Sequence, residues 1–84
     1  HDVQYAKLKF TPERARWVAQ ESWHPKQRGI LDPDGSYTLE VPYADDRELL
    51  MDILKFGNEV EVQGPASLKK RVKTEIDRMS KRYS

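Results

Sequence analysis

The chain contains no cysteine, and this absence excludes several kinds of site at once. Disulfide bridges, thiolate metal centres and cysteine nucleophiles all require the thiol group. Disulfides are rare in the reducing cytoplasm, so a chain without cysteine is typical of a cytoplasmic protein. We therefore expect a cytoplasmic location.

Histidine, glycine and long apolar runs are also scarce. His24, the only internal histidine, lies beside Pro25 and has no glycine-rich phosphate-binding loop near it, and a lone histidine more often makes structural hydrogen bonds than catalyses a reaction. No stretch approaches the roughly 18 apolar residues of a membrane-spanning helix, and nothing marks a signal peptide. The sequence therefore predicts a protein that is not an enzyme, binds no cofactor or metal, and has no membrane partner.

The residues that are present indicate one small folded domain. Hydrophobic residues make up 37% of the 84 residues and charged residues 35%, so the core is thin but the chain is apolar enough to collapse. The chain begins at His1 and Asp2 without an initiator methionine, and a strand-like pattern follows almost at once. We expect a single domain over residues 1–84, excised from a longer protein.

The first part of the chain predicts a strand and a helix. Residues 3–10 alternate in polarity, as a half-buried strand does. The inward-facing side chains are Ala6, Leu8 and Phe10. Thr11 can cap a helix and Pro12 suits its first position, so a helix is predicted from Pro12 to about Ser22. Its buried residues should be Ala15, Val18 and Ala19, with Trp17 at the edge.

The middle of the chain predicts a hairpin and a second helix. Strands at 27–31 and 36–43 flank residues 32–35, a strong turn signal because proline fixes φ and glycine supplies a positive φ. Asp45 or Asp46 should cap a helix that ends at Gly57. The side chains expected to face the core are Tyr37, Leu39, Val41, Leu49, Leu50, Ile53 and Leu54.

A short strand at 59–63 and a helix from Pro65 complete the order β-α-β-β-α-β-α. This is the ferredoxin-like α+β arrangement with one extra C-terminal helix, and it has a four-stranded antiparallel sheet with the first and third strands central. Glu61 can then face Lys7 or Lys9 on the neighbouring strand.

The last helix carries five apolar residues spaced 4, 4, 3 and 4 apart. They are Leu68, Val72, Ile76, Met79 and Tyr83. We interpret this stripe as packing within the domain, with a partner helix as the alternative.

The net charge is only +1, but it is unevenly distributed along the chain. After residue 65 there are seven basic residues against two acidic ones, whereas the first 65 residues have eight against twelve. A solvated helix face is the simpler explanation, and a basic face can also attract polyanions. The candidate polyanion contacts are Lys69, Lys70 and Lys73.

The densest cluster of unusual side chains lies at the predicted corner between the first helix and the hairpin. Its members are Trp23, His24, Gln27 and Arg28. Such a set can recognise an anionic or nucleotide-like group, with Arg28 as a fork of hydrogen-bond donors and Trp23 as a stacking surface. Composition alone favours a structural alternative, in which Trp23 closes the edge of the core while His24 and Gln27 bond to loop backbone.

Other proteins with this strand order fit the sequence less well. An RNA-recognition module stacks bases on aromatics of both central strands, and here Tyr5 would face only Thr38 and Glu40. Acylphosphatases and amino-acid-binding regulatory domains need a glycine-rich segment after the first strand, where this chain has Thr11 and Pro12. None of these three classes of protein is expected.

Several short motifs occur in a fixed order along nearly the whole chain. The most specific part is Trp23-His24-Pro25-Lys26-Gln27 before an Asp34-Gly35-Ser36 turn. The other parts are a helix from Leu49 ending in Phe56-Gly57, Val60-Glu61-Val62 running into Pro65, then Leu68 and Tyr83. This ordered set resembles the C-terminal extension domain of WYL-domain transcriptional regulators, often labelled DeoR-like in bacterial genomes. Lys26 departs from the family pattern, in which a small serine is common.

The resemblance implies a place at the C-terminus of a regulator whose upstream helix-turn-helix domain binds DNA and whose WYL domain senses a ligand. It implies a ferredoxin-like fold, a homodimer of the full-length protein, and packing against the WYL domain of the same or the partner chain. The corner residues 23–28 become candidate contacts with ligand or with that domain. The alternative is a module that binds single-stranded nucleic acid through its basic last helix and the same corner.

Overall fold

The computed structural model describes residues 3–84, and this part of the chain forms four strands and three helices. The strands are β1 (Gln4–Phe10), β2 (Arg28–Leu31), β3 (Tyr37–Tyr43) and β4 (Val60–Gly64). The helices are α1 (Pro12–Val18), α2 (Asp46–Phe56) and α3 (Ala66–Arg82), and a 3-10 turn covers Gly57–Glu59. The start of the chain at His1 and Asp2 lies outside the described residues.

β1 and β3 form the centre of the sheet. The strand order is β2-β3-β1-β4, and every pair of neighbours is antiparallel. Lys9 on β1 is the register partner of Glu61 on β4, as the charge pattern predicts. The order of elements and the sheet together confirm the ferredoxin-like α+β fold with an additional C-terminal helix.

One face of the sheet and the three helices enclose the core. The core cluster contains Ala6, Leu8, Phe10, Ala15, Val18, Tyr37, Leu39, Val41, Leu49, Ile53, Val62 and Leu68. The predicted inward sets of β1 and β3 are therefore confirmed, and Leu50 is buried as well, whereas Leu54 is half-buried. Each large aliphatic or aromatic side chain removed from water contributes roughly 1.5–3 kcal/mol, so these few residues carry most of the folding free energy.

The helix α1 is shorter than its sequence predicts. Thr11 caps it through its hydroxyl, which accepts from the N–H of Arg14 at 3.4 Å, and Pro12 takes the first position as expected. The predicted end at Ser22 and the predicted burial of Ala19 are both wrong, because α1 ends at Val18 and Ala19 is exposed. Residues 19–22 offer no large apolar side chain to anchor another turn, so the chain tightens and turns towards the core.

The hairpin between β2 and β3 forms at the predicted turn. Gly35 adopts φ 93°, and the N–H of Asp32 donates to the carbonyl of Ser36 at 2.7 Å. The Ser36 hydroxyl donates to the Asp34 carboxylate at 2.6 Å, and the Ser36 backbone N–H donates to the same carboxylate at 2.9 Å. These two bonds, the hydroxyl first, hold the pKa of Asp34 below its usual value.

The apolar stripe of α3 enters the core only at its beginning. Leu68 is fully buried and Val72 is half-buried, but Ile76, Met79 and Tyr83 are 52%, 46% and 90% exposed. The interpretation of the whole stripe as packing within the domain is therefore wrong for its second half. The reason is geometric, since a helix of 17 residues is about 25 Å long and outruns the short strand β4 that it covers.

Gly29 in the edge strand β2 makes room for Tyr37. A methyl group on Gly29 would lie 1.6 Å from the Tyr37 hydroxyl oxygen, so the buried tyrosine occupies the space that any other residue would fill. Tyr37 is only 8% exposed and cannot swing outward without leaving the core. An isolated glycine within a strand pattern indicates such a close approach.

We expect Gly29→Ala to lower the free energy of unfolding by about 1–3 kcal/mol, because the added methyl group must displace the Tyr37 ring. Urea unfolding of the two proteins measures the difference. Gly64→Ala is the matched control, since nothing lies within 4 Å of its added methyl group. Equal stability of the parent and Gly29→Ala would contradict the packing described here.

Candidate functional site

Three aromatic rings meet where the corner between α1 and β2 touches the end of α2. We call Phe10, Trp23 and Phe56 the aromatic corner. The Trp23 ring stacks on Phe56 with centroids 5.7 Å apart and planes 14° apart. The Phe10 ring meets both neighbours edge-on, at 6.0 Å from Trp23 and 5.3 Å from Phe56. Such pairs contribute about 0.5–1.5 kcal/mol each beyond the area they bury, so Trp23 stabilises the fold directly.

Gln27 organises the loop that presents Trp23. Its side-chain carbonyl accepts the backbone N–H groups of Trp23 and His24, and its side-chain NH₂ donates to the carbonyl of Glu21 at 3.1 Å. One amide thus satisfies three loop backbone groups, which otherwise have no strand or helix partner. The side chain of Gln27 is occupied by this structural task.

His24 also bonds within its own loop. Its Nδ1 accepts the backbone N–H of Lys26 at 3.0 Å, and its carbonyl accepts the N–H of Gln27 at 3.1 Å. A ring nitrogen that accepts from the backbone holds the imidazole in one orientation. The geometry of Trp23, His24 and Gln27 thus matches the structural alternative that composition favours.

An open groove of about 490 Å³ lies beside the aromatic corner, against α2. Trp23, His24, Tyr43 and Phe56 form part of its wall, and its charged residues are Glu21, Asp45, Glu48, Asp52 and Lys55. We call this the acidic groove. Burial first, and the nearby Asp46 carboxylate second, raise the pKa of Tyr43. Even with Asp45 paired to Arg47, three further carboxylates face one ammonium group, so the groove opposes the entry of an anion, which is the ligand that the corner residues are expected to recognise.

The carboxylates of the acidic groove are not among the site residues that the sequence predicts. Asp45, Glu48 and Asp52 are spaced three and four residues apart, a spacing that places side chains on one face of a helix. Asp45 also caps α2, accepting the N–H of Arg47 at 2.9 Å, which confirms one of the two predicted caps. The Arg47 side chain hydrogen-bonds the same carboxylate and holds the pKa of Asp45 below its usual value.

Arg28 does not join the other corner residues. It is the register partner of Glu40, and its guanidinium forms an ion pair with the Glu40 carboxylate at 2.9 Å on the sheet face away from the core. The same guanidinium lies 5.9 Å from the centre of the Tyr5 ring. The structure therefore brings Trp23 and His24 together at the acidic groove and places Arg28 elsewhere. Contact of any of these residues with a ligand stays a prediction.

The candidate polyanion contacts lie along the exposed side of α3. Lys69, Lys70 and Lys73 are exposed, and no salt bridge within residues 3–84 includes them. The neighbouring Arg71 does pair with Asp46 at 3.4 Å, which ties α3 to the start of α2. The three lysines thus form a compact basic surface of one helical turn.

Two further site classes are absent from the part of the chain that the structure describes. Between residues 3 and 84, no group of three or more histidine, aspartate or glutamate side chains could hold a metal ion. No helix in that range is long and apolar enough to span a membrane.

A match to a protein-family model identifies the family to which this chain belongs. The family model for the WCX domain matches residues 2–80, which is almost the whole chain. The chain belongs to the WCX domain family. WCX domains are the C-terminal domains of WYL-containing transcriptional regulators, so the resemblance seen in the motifs from Trp23 to Tyr83 is confirmed.

A curated relative matches a large part of this WCX domain. It is Protein PafC of Mycobacterium leprae, which is 36% identical over 67 residues. The match covers 74% of this chain and 21% of PafC, so the WCX domain spans about a fifth of the length of that relative.

We expect Gln27→Ala to destabilise the WCX domain by about 1–2 kcal/mol, because three backbone groups of the corner loop lose their partner. Chemical unfolding followed by tryptophan fluorescence measures the loss. Gln20→Ala changes an exposed glutamine just after α1 and should have little effect. If both substitutions cost the same, Gln27 does not organise the loop.

Proposed function

We propose that this WCX domain is a non-catalytic regulatory and dimerisation module at the C-terminus of a DNA-binding transcriptional regulator. An upstream helix-turn-helix domain binds DNA, a central WYL domain senses the ligand, and this domain packs near that sensor in the same or the partner chain. The regulator acts in the bacterial cytoplasm. The match of the WCX family model to residues 2–80 is the observation that supports this proposal most strongly.

The side-chain geometry supports a role without catalysis. His24, the one histidine among residues 3–84, accepts a backbone N–H through Nδ1, and Gln27 is bonded to three backbone groups. Trp23 is stacked between the core and the acidic groove. These groups serve the loop that they belong to, whereas catalysis needs an acid–base group or nucleophile aimed at a substrate.

The second half of the α3 stripe supports a role in association. Ile76, Met79 and Tyr83 are exposed large apolar residues on one face of one helix. Large contiguous patches of exposed apolar surface mark sites of interaction, and protein–protein contacts are among them. A dimerisation module needs a protein–protein contact, and this face of α3 can supply one.

The full-length regulator is expected to be a stable dimer at micromolar concentration. Sedimentation equilibrium over a range of loading concentrations measures its mass. A dimeric mass for the full-length protein agrees with the proposal, because a dimerisation module holds two chains together. A full-length protein that is strictly monomeric at that concentration contradicts it.

The exposed lysines of α3 favour a second candidate, binding of single-stranded nucleic acid. Lys69, Lys70 and Lys73 have no ion-pair partner within residues 3–84, so their charge is available to phosphate groups. The corner at residues 23–28, which the sequence also predicts as a nucleic-acid contact, receives less support. Trp23 borders the acidic groove, whose carboxylates repel phosphate groups.

For this second candidate, a short single-stranded oligonucleotide should bind the chain with an affinity that falls steeply with salt. Replacing the three lysines by alanine should reduce the slope of log affinity against log salt by about 2, since each phosphate contact on a single strand contributes about 0.7. Lys55→Ala, at the acidic groove, is the control and should leave the slope unchanged. The absence of NMR chemical-shift changes at millimolar oligonucleotide would rule this candidate out.

A further inference from the structure

An open apolar groove separates the second half of α3 from the body of the domain. Its volume is about 430 Å³, and we call it the α3 groove. Ile76, Met79 and Tyr83 line the α3 side, while Leu54 at the end of α2 and Val60 on β4 line the other. These residues keep an apolar surface in water, and within residues 3–84 nothing fills the space between them.

The spacing along α3 fits a helical partner. Val72, Ile76, Met79 and Tyr83 follow one another at intervals of 4, 3 and 4 residues, which is the seam pattern of two helices packed side by side. The core of the domain uses Leu68 and part of Val72. The rest of the seam is therefore available to a helix from outside the domain.

The charges beside the seam favour a second copy of α3 running in the opposite direction. Glu75 and Arg82 lie on the same flank of the seam, because each directly precedes a residue of the seam. Antiparallel packing of two copies sets Glu75 of each against Arg82 of the other. Parallel packing would instead set Glu75 beside Ser80, which carries no charge. Lys69 and Lys70 lie towards the start of the helix, beyond the antiparallel overlap.

We propose that the α3 groove is occupied by α3 of a second copy of this chain, packed antiparallel and reciprocally. Ile76 and Met79 of each copy enter the groove of the other. The two-fold symmetry makes each contact occur twice, so a modest patch yields a self-complementary interface. This inference rests on the proposed dimeric regulator and assigns part of its dimer contact to a named surface.

Sedimentation equilibrium of the 84-residue chain tests the apolar part of the interface. The parent chain should show a monomer–dimer equilibrium with a Kd of about 1 mM or tighter. Ile76→Glu should weaken it at least tenfold, about 1.4 kcal/mol, because it puts a charge into the seam. Met51→Glu is the matched control, since Met51 is 72% exposed on α2 and lies outside the α3 groove. A parent chain that stays monomeric, or equal effects of the two variants, overturns the proposal.

A charge-exchange cycle tests the antiparallel direction. Glu75→Arg and Arg82→Glu should each weaken the dimer by roughly tenfold, because each places like charges together twice per dimer. The double variant should restore the parent Kd to within about threefold. Circular dichroism and thermal unfolding verify that all variants are folded. Additive losses without restoration contradict the antiparallel pairing.

The same Ile76→Glu change in the full-length regulator separates this inference from the proposed function. Conversion of the dimer towards monomer supports both. A dimer that persists unchanged overturns the role of the α3 groove and leaves the proposed dimeric regulator standing. A loss of thermal stability at unchanged mass identifies a segment of the same chain as the occupant, which also overturns the second-copy interface.

Discussion

The stacking of Trp23 on Phe56, closed at one edge by Phe10, joins three segments that are distant in sequence: the end of β1, the corner after α1, and the end of α2. An 84-residue domain has a small core, so each such anchor matters for stability. Arg14 extends the cluster, since its guanidinium lies 5.9 Å from the Phe56 ring and pairs with Glu59 at 2.8 Å. The corner is therefore part of the architecture.

This constraint decides where function can reside. Trp23, His24 and Gln27 hold the corner in place, and the groove beside them is lined with carboxylates, so the corner is a poor receptor for an anion. Arg28 belongs to the open face of the sheet, where Glu40 neutralises it. Two surfaces without partners in the described part of the chain lie on α3: the lysines of its first half and the apolar residues of its second half. A helix with two such surfaces supports the proposed role of this domain in association.

The sequence predicts the fold well, because local chemistry determines its main features. The alternation in β1, the turn at residues 32–35 and the caps at Thr11 and Asp45 all appear as expected. It fails where distant contacts decide the outcome. The point at which α3 leaves the core depends on the length of β4, and the environment of Arg28 depends on the register of β2 with β3. The apolar periodicity of residues 68–83 correctly predicts a helix. Periodicity alone does not say whether the apolar face of that helix packs against its own domain or against another chain.

Amide hydrogen exchange in the full-length regulator tests most directly whether α3 is the surface through which this WCX domain assembles. The comparison is with the dilute 84-residue chain, in which the seam of α3 is exposed. Amides of residues 76–82 are predicted to exchange at least about tenfold more slowly in the full-length protein, with residues 28–31 of the β2 edge unchanged. Equal exchange on α3 in the two proteins, with protection gained elsewhere, would contradict the assignment.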